Sequence, residues 1–204
     1  RSVVLRRGNA RISQHRALSG QRLVHLDVRL RRVDDDRYTF LELDDETRVL
    51  MLAELDLDIA TSGAPYLGKT LTERGLEEYQ DLLREALSHG DEASLVAALE
   101  ADGRVVDSPT DAARKLGRTE FLQYYIRGIC RRASAHGSNA VYCYRAHESL
   151  HPRPESQVLD GQAQSAPRIL ANLRGAEHHD RDTGLGRANS GIAIRCGCVS
   201  CWSE

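Results

Sequence analysis

The chain has 204 residues, 41% hydrophobic but only 5% aromatic, with a single Trp202 and a single Met51. It is long enough for one core, which must be built mainly from Leu, Val, Ile and Ala, and that favours helix. Its net charge of −2 excludes little, because it sums three opposed blocks: residues 1–32 carry nine arginines against Asp27 for a net of +8, residues 33–111 carry −15, and residues 112–204 carry +5. Such blocks attract one another, or partners, over about a Debye length of ~10 Å.

In chain order, residues 1–20 have no steady apolar period and read as an extended basic arm. Its arginines Arg1, Arg6, Arg7, Arg11 and Arg16, with Arg22 just beyond, are the candidate partner-binding residues. Leu23, Val24, Leu26, Val28 and Leu30 then alternate, the run Asp34-Asp35-Asp36 forms a turn, and Tyr38, Phe40 and Leu41 follow, which predicts a β-hairpin. From Asp44 or Asp45 as cap, Val49, Leu50, Leu52, Leu55 and Ile59 predict a helix, although Leu55 to Ile59 also alternates as a strand would.

Thr72 caps the next helix, with an apolar face of Leu76, Tyr79, Leu83 and Leu87 ending at Gly90. Asp91 caps a shorter one carrying Leu95, Val96 and Leu99. Ser108-Pro109-Thr110-Asp111 joins an N-cap, a proline at the first helical position and an acid, and so opens a long helix toward His136 and Gly137. Its stripe is Leu122, Tyr125, Ile126, Ile129 and Ala133. Residues 140–144 predict a strand, Pro152 and Pro154 a loop, Ile169, Leu170 and Leu173 a short helix, and 192–194 a last strand.

The fold class is therefore α+β: an N-terminal basic arm and β-hairpin followed by a mainly helical core with a few further strands. Residues 21–174 form one domain, and 175–204 a Gly- and Cys-containing tail.

Three motifs carry chemistry. Gly63 to Thr70 matches the letters of a P-loop, whose backbone N–H groups and lysine hold nucleotide phosphates at the end of a buried strand. Here the lead-in carries Asp56 and Asp58, Tyr66 and Leu67 crowd the loop, and no parallel βα sheet follows, so a plain turn into the Thr72 helix is expected. His147-Glu148-Ser149-Leu150-His151 matches a zinc-peptidase pattern, which needs a helix to bring two imidazoles to one ion. Pro152 follows at once and opposes that helix. Cys196, Cys198 and Cys201 could hold a structural zinc ion, with His178 or His179 as fourth ligand. Five cysteines do not describe a disulfide framework, and a reducing compartment fits them better.

On the long helix, Arg114, Arg118 and Arg132 share one side with Phe121 and Tyr125, as a nucleic-acid surface would require. Beside Leu122 and Ile129, however, those aromatics read as core. Taken together, these features predict a non-enzymatic, self-assembling or partner-binding protein, shell- or capsid-like, whose arm docks on copies of itself or on nucleic acid. A P-loop nucleotide hydrolase and, behind it, a zinc peptidase are the alternatives. No apolar run reaches the ~18 residues of a membrane span and the start lacks a secretion signal, so a location in the cytoplasm or within a particle is expected, with no membrane partner.

Overall fold

A computed structural model describes residues 37–65, 69–106, 109–148, 154–175, 184–187 and 190–198. The basic arm with Arg1 to Arg22, the first half of the expected hairpin, His151, His178, His179 and Cys201 lie outside the described residues. The described chain is α+β, with six helices and one three-stranded antiparallel sheet.

Helix α1 (Asp45–Ser62) begins where the Asp44 side chain accepts the Thr47 N–H at 2.9 Å, and it ends at Gly63 in the left-handed region. The alternation from Leu55 to Ile59 is thus helical. Leu55 enters the core, while Asp56 meets Arg84 at 2.6 Å and Asp58 meets Arg127, so the alternate acids serve two different neighbours.

Helix α2 (Glu73–Ser88) starts at Thr72, whose hydroxyl accepts the Gly75 N–H at 3.1 Å. Its buried face is Gly75, Tyr79, Leu83, Ala86 and Leu87. Leu76, expected on that face, is half exposed, because it is Gly75 that lies against the Arg104 carbonyl, where a Cβ would come within 2.1 Å of the oxygen. Helix α3 (Glu92–Glu100) opens on a capping box between Asp91 and Ser94, and a short 3-10 turn follows.

Helix α4 (Pro109–Ala135) is the centre of the fold, roughly 40 Å long at 1.5 Å per residue. It packs against α1, α3, α6 (Ala166–Leu173) and the strand β3 (Ile192–Cys196). Residues 121–130 are buried without interruption, as in a helix covered on every side. Phe121 and Tyr125 are among them, so the aromatics of the α4 basic side belong to the core.

The sheet runs β2-β1-β3, with β1 (Ala140–Arg145) in the middle, β2 (Ala163–Ser165) on one edge and β3 on the other. Val141 pairs with Gln164 and with Cys196. The C-terminal segment thus contributes a strand in which Ile192, Ala193, Ile194 and Cys196 are fully buried. Two expectations need correction. Pro154 opens a short helix, α5 (Pro154–Leu159), instead of continuing a loop, since proline suits a first helical turn. Residues 37–40, expected as the second hairpin strand, form no ladder. Thr39 N–H donates to the Ala146 carbonyl at 2.8 Å, and Tyr38 and Phe40 bury their rings, Tyr38 over His147 at 5.3 Å and Phe40 against Tyr125 at 4.7 Å. Their alternation serves aromatic packing.

The opposed charge blocks meet inside the fold. Arg127, 2% exposed, donates from Nε to Glu54 at 2.9 Å and forks onto Asp58 at 2.6 and 2.8 Å. Glu54 is fully buried and also takes Arg174 and Arg131. Arg132 pairs with Asp44 at 2.6 Å and Arg118 with Glu92 at 2.7 Å. Four arginines of α4 are therefore matched by acids of the middle block.

Candidate metal centre

The end of α4 sets the site. Gly137 takes φ of 74°, its N–H donates to the Ser134 carbonyl at 3.1 Å, and the Ser138 N–H donates to the Ala133 carbonyl at 2.8 Å. That is a Schellman closure, and it fixes His136 at the helix C-terminus, where the macrodipole favours a cation. His136 Nε2 lies 2.8 Å from Glu46 Oε1 in the first turn of α1, so the ring donates its Nε2–H to the carboxylate. Nδ1 then faces Cys198 Sγ at 3.4 Å.

Strand β3 brings the sulfurs. Cys196 pairs with Val141, and its N–H donates to Glu42 Oε2 at 2.7 Å. The chain then passes so close to β1 at Gly197 that a Cβ there would sit 2.5 Å from the Ala140 carbonyl oxygen, so the residue between the two cysteines has to be glycine. Cys198 N–H donates to Cys196 Sγ at 3.3 Å, and the two sulfurs are 2.8 Å apart. One ligand atom each from His136, Cys196 and Cys198 falls within 4.8 Å of the others. Burial pushes the Cys196 thiol up, against the Cys198 N–H that stabilises its thiolate.

Among the described cysteines, Cys130, Cys143 and Cys196 are buried, and Cys198 is disulfide-bonded.

The sequence named Cys196 and Cys198 by spacing but missed His136 and Glu46. Their only signal was position: a histidine just before a helix-ending glycine, and an acid in a capped first turn. The other two motifs find no matching frame. Gly63 of the P-loop letters is the end cap of α1, its N–H spent on the Ile59 carbonyl at 2.9 Å, and the lead-in is helix in place of the strand a nucleotide site needs. His147 and Glu148 follow β1 outside any helix, and the His147 N–H donates to the Gly191 carbonyl at 3.1 Å.

Comparison with family models, with curated proteins and with solved structures finds no match for this chain. No helix among the described residues is long and apolar enough to cross a membrane.

Proposed function

We propose that the chain is a non-enzymatic structural and partner-binding protein whose C-terminal strand is clamped to α4 by a zinc ion. His136, Cys196 and Cys198 are three of the ligands, and Cys201, the third cysteine of the sequence motif, is the fourth, with His136 in the place expected for His178 or His179. The observation that carries the reading is the orientation of His136: Glu46 holds one ring nitrogen and thereby aims the other at the cysteines. Carboxylate-bonded histidine is the usual second support of a metal ligand, and the N–H from Cys198 to Cys196 Sγ is a bond that stabilises thiolate. Four protein ligands leave no open position, which fits a structural ion and no hydrolytic chemistry. Zinc needs thiolates, so the Cys198 disulfide must first be reduced by an added dithiol, which is itself oxidised to a disulfide, and the two thiols released give up their protons to solvent as the ion binds.

After reduction, the full chain should bind about one Zn²⁺, and Co²⁺ in its place should give thiolate charge-transfer absorption. Glu46→Gln should weaken zinc about 10- to 100-fold, as loss of such a support does elsewhere. Metal retained undiminished in a His136→Ala, Cys196→Ser double variant would sink the proposal.

Partner binding rests on charge. Glu73, Glu77, Asp81 and Glu85, four residues apart, are all exposed along α2 and form an acidic stripe complementary to the arm with Arg1, Arg6, Arg7, Arg11, Arg16 and Arg22. We assign the arm to this stripe on a neighbouring copy. Deleting residues 1–20 should therefore reduce the particle mass seen by light scattering. An unchanged mass, or a mass that falls in the intact chain only on nuclease treatment, would count against docking on protein and, in the second case, for nucleic acid.

A further inference from the structure

Of the 28 basic residues in the chain only two are lysines, Lys69 and Lys115, and both line the same cavity of about 440 Å³. One wall is a face of α4 in which Ala112, Leu116 and Thr119 recur at helical spacing. The opposite side is the segment at Lys69 and Thr70, held there by the antiparallel bridge of Leu71 with Val105 and by the Val106 N–H donating to the Thr70 carbonyl at 2.9 Å.

Glu120 closes the cavity. It is 7% exposed and makes no hydrogen bond among the described residues. Behind it Asp58 is already satisfied, by the Arg127 fork and by the Tyr124 hydroxyl at 2.7 Å, so neither of those donors turns to Glu120. Burial first, and the Asp58 charge second, raise the Glu120 carboxyl to about 8, with Arg127 opposing. At neutral pH Glu120 is therefore mainly a neutral O–H donor, and the formal charge of the lining comes from two ammonium groups. A cationic ligand would have to pass both. A nucleotide would need the backbone cradle that Gly63 does not offer. A compact dianion with a short apolar body fits: its head between the lysines, its body along Ala112 and Leu116, and one oxygen accepting from Glu120. Lysine suits this role as a flexible point charge with no fixed fork to satisfy.

We propose that this cavity is a binding site for a small phosphate monoester, held by Lys69 and Lys115 and hydrogen-bonded by Glu120. The site is separate from the metal centre and does not depend on it.

With only two lysines, the full chain labelled with ¹³C-lysine gives one Cε signal for each, and phenyl phosphate is a suitable probe. Both signals should move on one saturable curve, and phenol should move neither. Lys69→Ala and Lys115→Ala should each weaken binding about tenfold or more, the loss expected for a charge-assisted contact. Both lysines are exposed, so these variants keep the fold. Glu120→Gln, which retains a neutral donor, should bind within about threefold of the parent while Glu120→Ala binds more weakly. Signals that stay still or drift without saturating to about 10 mM, a range that would detect even millimolar affinity, overturn the site. Benzoate binding as tightly as phenyl phosphate overturns the phosphate assignment.

Discussion

Glu54→Ala is expected to destabilise the protein by about 3–5 kcal/mol, the cost typical of removing one partner from a buried ion pair. Glu54 is fully buried and gathers Arg127, Arg131 and Arg174. The three arginines do not suffer equally. Arg131 and Arg174 are 36% and 37% exposed and can turn to water, whereas Arg127 at 2% cannot and keeps Asp58 as its remaining carboxylate, beside the backbone carbonyl of residue 54. The cost is therefore that of a half-satisfied guanidinium inside the core. It follows that Glu54→Leu combined with Arg127→Met should cost less than the sum of the two single changes, because no charge is then stranded. Acid should erase the difference. Burial would raise the Glu54 carboxyl, but Arg174 and Arg127 outweigh it and hold it below the usual range. The folded state thus binds this proton less readily than the unfolded chain. Its contribution is full above the unfolded value near 4.5 and is lost as pH falls through the lower folded value. Urea unfolding at pH 7 and at pH 3 checks both statements. A single-variant loss under about 1 kcal/mol at pH 7 would place the pair among those that contribute like surface ion pairs.

The helices were legible because each start is written locally. Asp44, Thr72 and Asp91 each accept an N–H three residues on, and Pro109 is the first residue of α4. Strand β1 was legible from its apolar positions, since Val141 and Cys143 are buried between partly covered neighbours. Strand β2 was not, because Ala163-Gln164-Ser165 has no apolar alternation and joins the sheet through its backbone alone. Tyr38 to Leu41 has strand letters but spends its alternation on two rings, Tyr38 stacked on His147 just after β1 and Phe40 tilted against Tyr125 of α4. At the metal centre, spacing revealed Cys196 and Cys198 because both ligands come from one short segment. His136 is 60 residues away in sequence and is brought there only by the pairing of β3 with β1 and the docking of both on α4. Glu120 was invisible for a related reason. An acid beside Phe121 in a helical pattern reads as the edge of the polar face, and only the fold, which buries it near Asp58 and Arg127, makes it a buried carboxyl.

Glu120→Gln should flatten the pH dependence of stability between about 4.5 and 8. The carboxyl titrates near 8 in the fold, against an ordinary value of 4.5, because burial and then Asp58 disfavour its charge more than Arg127 favours it. Over that window the folded state keeps a proton that the unfolded chain has released, so stability is fullest below 4.5 and declines as pH rises toward 8. A tenfold difference in proton affinity between the folded and unfolded chain is worth about 1.4 kcal/mol, so the wild type should lose about 3–4 kcal/mol from this group by pH 7 to 8. Glutamine fills the same space, carries no titrating proton and imposes a similar burial cost at every pH, so it is the slope and not the absolute stability that separates the two proteins. Glu42 and Glu92, also raised by burial, remain in the variant and leave a shallower decline of the same sign. Lowering the pH further should reverse the trend in both proteins, as Glu54, held down by Arg174 and Arg127, and Asp44, held down by the Thr47 N–H and then Arg132, take up protons that cost the fold these contacts. Denaturant midpoints measured at half-unit steps from pH 4 to 8.5 decide the matter. Parallel curves for variant and parent would mean that Glu120 ionises as an exposed acid does, and that the cavity it closes carries a negative charge at neutral pH.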